Sequence, residues 1–243
     1  MNVSLYQAAA AMNAQALAQE VIAGNMAAGN IPGFKKQEIS FSSFDPEKAQ
    51  TAGSVGIPKG AVSVNFSQGE MRSTSVQTDL ALQGPGFFEV QLPSGATAYT
   101  RDGEFKLDST GQLVTKHGHL VMSETGPVQF DRNIAGSIHI TADGEISQGG
   151  VSRGKLKLAE FADPKQLRHL SGGLFTPADP TIQPLDSTNT RVQQGYLEAA
   201  NTSPAVEMTN LIAVMRAFEA NQRLVQVHDE RMGKVISELG NPA

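Results

Sequence analysis

Two histidines around a glycine, His117-Gly118-His119, are the strongest invitation to chemistry in this sequence, because two imidazoles on one side of a short strand could begin a metal site. A third ligand at metal-binding spacing is not indicated, and the pair reads better as exposed residues beside a hairpin turn. Gly84-Pro85-Gly86 opens like a dinucleotide loop, but Glu89 stands at the third glycine position and no helix follows, so a turn before a strand is expected. His228 and Asp229 lie on a helical stretch beside core positions, and there is neither a P-loop lysine motif nor a G-x-S-x-G elbow. Cysteine is absent, which excludes disulfides, thiolate metal sites and a Cys nucleophile. The sequence therefore predicts no catalytic residue, no cofactor, no metal and no enzyme. A net charge of -5 without a Lys/Arg cluster also removes the footprint that nucleic-acid binding needs.

The elements around these residues divide into three kinds. From Val3 to about Ala28 alanine dominates, proline is absent, and Leu5, Met12 and Met26 fall on a seven-residue repeat with Gln19 between them, which predicts a helix. Gly29-Asn30-Ile31-Pro32-Gly33 stops it. The same segment fails as a secretory signal, since its only charge is Glu20 and the first lysine is Lys35, and its amides rule out a membrane span. A chain leaving the cytoplasm would use a route without a cleaved signal. Residues 36–76 show little periodicity and predict an extended connector with one short strand near Val62 to Phe66. From Thr78 short apolar runs alternate with turn signals, as in an antiparallel β domain. Asp102-Gly103 and Asp143-Gly144 suggest two-residue hairpin turns, Asp108 to Gly111 and Lys116 to Gly118 two further reversals, and Lys155 to Leu158 a half-buried strand.

After Pro204 the period changes again. Leu211, Phe218, Val225, Met232 and Leu239 recur at every seventh residue, with Val214, Met215, Val235 and Ile236 filling the intervening face, a coiled-coil-type seam of about four heptads. Thr202 or Ser203 is the candidate N-cap, Pro204 sits in the first turn, and the helix stops at Gly240-Asn241-Pro242. The fold class expected is α+β, with N- and C-terminal helices pairing as a coiled coil around a central antiparallel β domain. The divisions are residues 1–35 with 200–240 as a discontinuous helical assembly domain, 36–76 as connector, and 77–198 as β domain.

Three motifs give this plan a family. Asn25, Ala27, Gly33, Phe34 and Lys35 match an N-terminal signature of the form S-N-N-L-A-N-x-x-T-x-G-F-K, with Gly24 and Ala28 where asparagine is usual, which weakens the amide network expected there. Thr78 to Phe88, followed by Tyr99-Thr100-Arg101-Asp102-Gly103, is close to D-L-A-I-x-G-x-G-F-F and Y-T-R-x-G. Gln194-Gly195-Tyr196-Leu197-Glu198 with Asn201, then Glu207-Met208 and Arg216 to Asn221, reads like Q-G-x-L-E-x-S-N and E-M-x-x-L-I-x-x-Q-R-x-Y-E-A-N, with Met215 in place of glutamine and Ala200 in place of serine. In these blocks the chain resembles the flagellar hook and basal-body rod proteins, most the proximal rod protein and next the distal one. The resemblance implies a structural subunit exported through the flagellar type III apparatus and assembled in the periplasm with copies of itself and other rod and hook proteins. The assembly interface it implies comprises Leu5, Met12, Asn25, Met26, Gly33, Phe34, Leu211, Met215, Phe218, Val225, Met232 and Leu239. A secreted β-domain binding module and a His-based metal enzyme are the rival readings. A binding module does not need an almost uncharged N-terminal helix and a four-heptad C-terminal one, and bound zinc would be the mark of the enzyme.

Overall fold

The computed structural model of the chain describes residues 3–42, 59–131, 134 and 136–239. The fold is α+β: helix α1 (Val3–Ala27) and helix α2 (Pro204–Leu239) stand at the two ends, and antiparallel strands fill the middle. Alanine, the best helix former, carries α1. Past its end Gly33 takes φ +67, a left-handed conformation that only glycine enters freely. Pro204 opens α2 where its missing N–H is not needed, and the Glu207 amide closes the first turn on the Ser203 carbonyl at 3.0 Å. With 25 and 36 residues the two helices are about 37 and 54 Å long. No described helix is long and apolar enough to cross a membrane.

The chain folds as two compact units, one of Met1–Ala27, Gln37–Ser63 and Ser203–Ala243, the other of Ala28–Lys36 and Val64–Thr202. In the first, α1 packs along α2. The paired strands Gln37–Ser42 and Lys59–Val64 belong, up to Ser63, to the same unit, with Gly60 so close to α1 that a Cβ there would stand 3.0 Å from Leu17 Cδ2.

The second unit is built on one antiparallel sheet ordered Leu167–Leu170, Leu174–Pro177, Thr97–Thr100, Phe87–Gln91, Leu120–Ser123, Leu113–Thr115, Phe105–Leu107. Successive residues of a strand face opposite sides. Phe88, Val90 and Ala98 accordingly enter one core with Leu80, Leu82, Val121 and Ile146, whereas Phe87 and Tyr99 enter an aromatic cluster with Phe161 and Phe175 on the other side. Covering both faces explains the unbroken apolar start of the Phe87–Gln91 strand. Each such fully buried aromatic or leucine contributes about 1.5 to 3 kcal/mol.

Asp143-Gly144 does turn between paired strands, Ile138–Ile140 and Glu145–Gln148, as do the reversals at Asp108–Gly111 and Lys116–Gly118. Asp102-Gly103 does not. Thr97–Thr100 pairs with Phe87–Gln91 and Leu174–Pro177, while Phe105–Leu107 pairs with Leu113–Thr115. The dipeptide instead presses on the neighbouring strand Leu80–Gln83: the Leu80 amide bonds the Gly103 carbonyl at 3.1 Å, and a Cβ on Gly103 would meet the Leu80 oxygen. Residues 155–158 alternate exposed and buried but bridge two strands, Val151–Lys155 and Leu158–Glu160. Among the described residues of 36–76 three strands form, and the third, Met71–Ser73, pairs with the distant Tyr196–Glu198.

Candidate assembly site

On α2 the half-buried residues are Leu211, Val214, Phe218, Asn221, Val225 and His228, in alternating steps of three and four. Such steps keep one row on one face of a helix. Asn221 donates from Nδ2 to Gln15 Oε1 at 3.2 Å, which identifies the row as the face toward α1. On α1 the buried residues are mostly small, Ala10, Ala18 and Val21 among them. Small residues let helix backbones approach closely. The rest of α2 is unusually apolar for an exposed surface. Met208, Ile212 and Met215 form one exposed run, and Leu224, Val227, Met232 and Val235 continue apolar exposure toward the C-terminal end, all about half accessible.

The residues expected at an interface fall into distinct settings. Leu211, Phe218 and Val225 lie on the row facing α1, while Met215 and Met232 are exposed, each 48 %. Met12 and Met26 are half-buried on α1, and of Leu5 and Leu239 only the helical backbone is described. Asn25 is buried, and its amide bonds the Gln37 backbone in both directions, N–H to Oδ1 and Nδ2 to carbonyl, each 2.8 Å, so it ties the end of α1 to the strand that follows.

Gly33 and Phe34 belong to the other unit and lead into a buried ionic cluster that joins the three motifs. Lys35, 1 % exposed, donates from Nζ to Glu198 Oε1 at 2.5 Å and to the Ser67 carbonyl at 2.8 Å. Glu198 Oε1 also accepts the Gly69 amide at 2.7 Å. Arg101 Nη1 stands 3.5 Å from Glu198 Oε2, its Nη2 donates to the Gly84 carbonyl at 2.6 Å, and its Cζ lies 4.9 Å from the centre of the Phe87 ring. Burial holds Lys35 and Arg101 below their ordinary pKa ranges, with Glu198 opposing that shift in each case. Glu160 supplies a further negative field at Arg101 and is itself held by Ser187, Asn189 and Thr190.

Backbone bonds surround the charges. The Gly33 amide donates to the Glu198 carbonyl at 2.7 Å, the Asn201 amide to the Phe34 carbonyl at 3.2 Å, and the Lys36 amide to Asn201 Oδ1 at 2.7 Å. Gly33 has no room for a side chain, since a Cβ would stand 2.3 Å from the Arg101 carbonyl carbon. Phe34 meets His169 edge to face, centroids 6.1 Å apart. Because these bonds join the segment leaving α1 to the one entering α2, and Gln15 meets Asn221 mid-helix, the two helices run antiparallel. Lys35, Arg101, Glu198 and Asn201 are the site residues that local reading does not single out. The signal for them is that two cations, a carboxylate and an amide sit inside three separate motifs.

His117 and His119 flank the turn at Gly118 with ring centres 6.3 Å apart, and among the described residues no group of three His, Cys, Asp or Glu is placed to hold a metal ion. The arrangement offers packing surfaces and a buried charge clamp.

Residues 81–148 match the family described as flagellar hook protein FlgE/F/G D1 domain, and residues 193–238 match flagellar basal body rod FlgEFG protein C-terminal. The chain is similar to the flagellar basal-body rod protein FlgG of Buchnera aphidicola (subspecies Schizaphis graminum), 31% identical over 97% of this chain and 99% of that protein. It is 32% identical to FlgG of Borreliella burgdorferi over 95% of this chain and 96% of the relative. It is likewise 32% identical to the flagellar basal-body rod protein FlgF of Rhizobium meliloti, over 99% of both.

Proposed function

The chain belongs to the flagellar basal-body rod protein family and is a structural subunit of that rod, and from this premise we propose that it polymerises through α1 and α2. The observation that carries the reading is the run Met208, Ile212 and Met215, apolar and about half exposed on a face of the helix next to the row that packs on α1. Contiguous exposed apolar surface marks an interaction site. α1 and α2 pair as a coiled coil within the subunit, and the outer rows of α2 pack on neighbouring copies and on other axial proteins of the flagellum. Export through the flagellar type III apparatus and assembly in the periplasm complete the proposal. The rival readings are not favoured, because the relatives match across both helices as well as the β region.

The test is Ile212→Asp combined with Met215→Asp. Both side chains are exposed, so the monomer's stability should move by no more than about 1 kcal/mol. Rod assembly and swimming should be lost, because two carboxylates enter a contact that excludes water. Normally swimming cells carrying this variant at ordinary protein levels would overturn the proposal.

A further inference from the structure

Glu198 is buried completely, and two cations that are themselves buried depend on it. Burying a charged lysine without an anion to meet it carries a large desolvation cost. The segment Ala28–Lys36 therefore seats a charged Lys35 at least cost where Glu198 stands. Glu198 ends the strand Tyr196–Glu198, which pairs with Met71–Ser73, and the preceding strand Arg191–Gln194 pairs with Leu80–Gln83. Its place is thus defined only after strands more than a hundred residues apart in sequence have met. Once it is defined, the residues just after α1 bond those just before α2, through Gly33 to Glu198, Asn201 to Phe34 and Lys36 to Asn201. Lys35, Arg101 and Glu198 are each buried within the chain, beside the segments that leave α1 and enter α2.

We propose that Glu198 is a positioning residue for assembly, clamping the root of α1 to the root of α2 through Lys35 and Arg101 only after the β unit has closed. This rests on the rod reading above. An incompletely closed β unit leaves the two roots apart and the helices unable to present their outer rows together. Charge, rather than shape, makes the clamp selective: an apolar contact at Lys35 would accept many apolar surfaces, whereas a buried ammonium needs a carboxylate presented at hydrogen-bonding distance to balance its charge.

Charge and shape can be separated in the full-length protein. Glu198→Gln keeps the size and the acceptor for the Gly69 amide but removes the anion. Hydrogen exchange at the Gly33, Lys36 and Asn201 amides should then quicken by about tenfold or more while the Phe87–Gln91 strand stays protected, the pattern of a local opening. The variant should also fail to enter rods. Adding Lys35→Met removes one stranded cation and should return exchange at those amides to within about threefold of the parent and restore assembly, a coupling that a purely packing role does not produce. Additive damage in the double variant, faster exchange throughout the β unit, unchanged exchange at the three amides, or normal rods from Glu198→Gln would each overturn the clamp. If Glu198→Gln assembles while the Ile212→Asp, Met215→Asp variant does not, the rod reading stands and the clamp falls. If both assemble, both readings fall.

Discussion

Asp102 shows how closely this fold presses on single charges. Its carboxyl is pushed up to about 6, first by burial and then by the charge of Glu104, against the pull of the Glu104 amide, Lys116 and His117. The folded-state pKa lies above the ordinary value of 3.8, so the folded form binds the proton more tightly than the unfolded one. This contribution to stability is fully present below the ordinary value and is lost as pH rises through about 6. Asp102→Asn removes the titration and keeps an oxygen for the Glu104 amide, which now bonds Oδ1 at 2.9 Å. The variant should be more stable than the parent at pH 7, by up to about 3 kcal/mol, with the gain disappearing near pH 4. Urea unfolding followed by circular dichroism at the two pH values measures this, and equal stability at pH 7 would contradict it. Neither this half-buried group nor the buried Lys35 cluster was legible in the sequence. In the sequence Asp102 beside Gly103 reads as a turn, and Lys35, Arg101 and Glu198 stand out only as members of three separate motifs. What buries Lys35 is a partner 163 residues away, which no local pattern contains.

At the scale of elements, the helices were legible because their cause is local: alanine content and an absence of proline for α1, a sustained apolar period for α2. The phase of the packed row was only partly so. Counting apolar residues at every seventh position finds Leu211, Phe218 and Val225, all of which lie toward α1, but it passes over Asn221 and His228 on the same row. Asn221 belongs there because α1 presents Gln15 to it, and a polar partner on the other helix is invisible when one helix is read alone. The reverse holds for Met215 and Met232, apolar yet exposed in the single subunit. Strand partners are equally non-local, which is why Asp102-Gly103 imitates a hairpin turn without making one. The inner row gives the sharper prediction. Phe218→Asp removes a half-buried ring and places a carboxylate against α1, and should weaken the helix pair by about 2 to 4 kcal/mol. Glu219→Ala, exposed one position away, should cost less than about 1 kcal/mol. Thermal unfolding watched by helical circular dichroism should show the first change and barely register the second. Equal effects would mean that the row does not face α1.

Across the whole molecule, the division into units departs from chain order: Ala28–Lys36 folds with the β unit, while Gln37–Ser63 folds with the helices. Deletions at the two boundaries should therefore behave differently. Removing residues 1–27 takes away α1 and leaves Lys35 in its site. Removing residues 1–36 also takes away Gly33, Phe34 and Lys35, so that Glu198 keeps only Arg101 and the Gly69 amide, and Asn201 Oδ1 loses the Lys36 amide. Stranding a partner of a buried charge is strongly destabilising, tempered here by the retained Arg101, so the longer deletion should cost the β unit about 2 to 4 kcal/mol more than the shorter one. The chain has no tryptophan, so the β unit is best followed by its far-ultraviolet circular dichroism during urea unfolding. The slope of the transition should change little, because few residues separate the two truncations. Midpoints of both deletions equal to the parent's would show that the segment after α1 adds nothing to the β unit and that the ionic cluster is a passive contact. A midpoint lowered equally by the shorter deletion would show instead that α1 itself supports the β unit, and that the two units do not unfold separately.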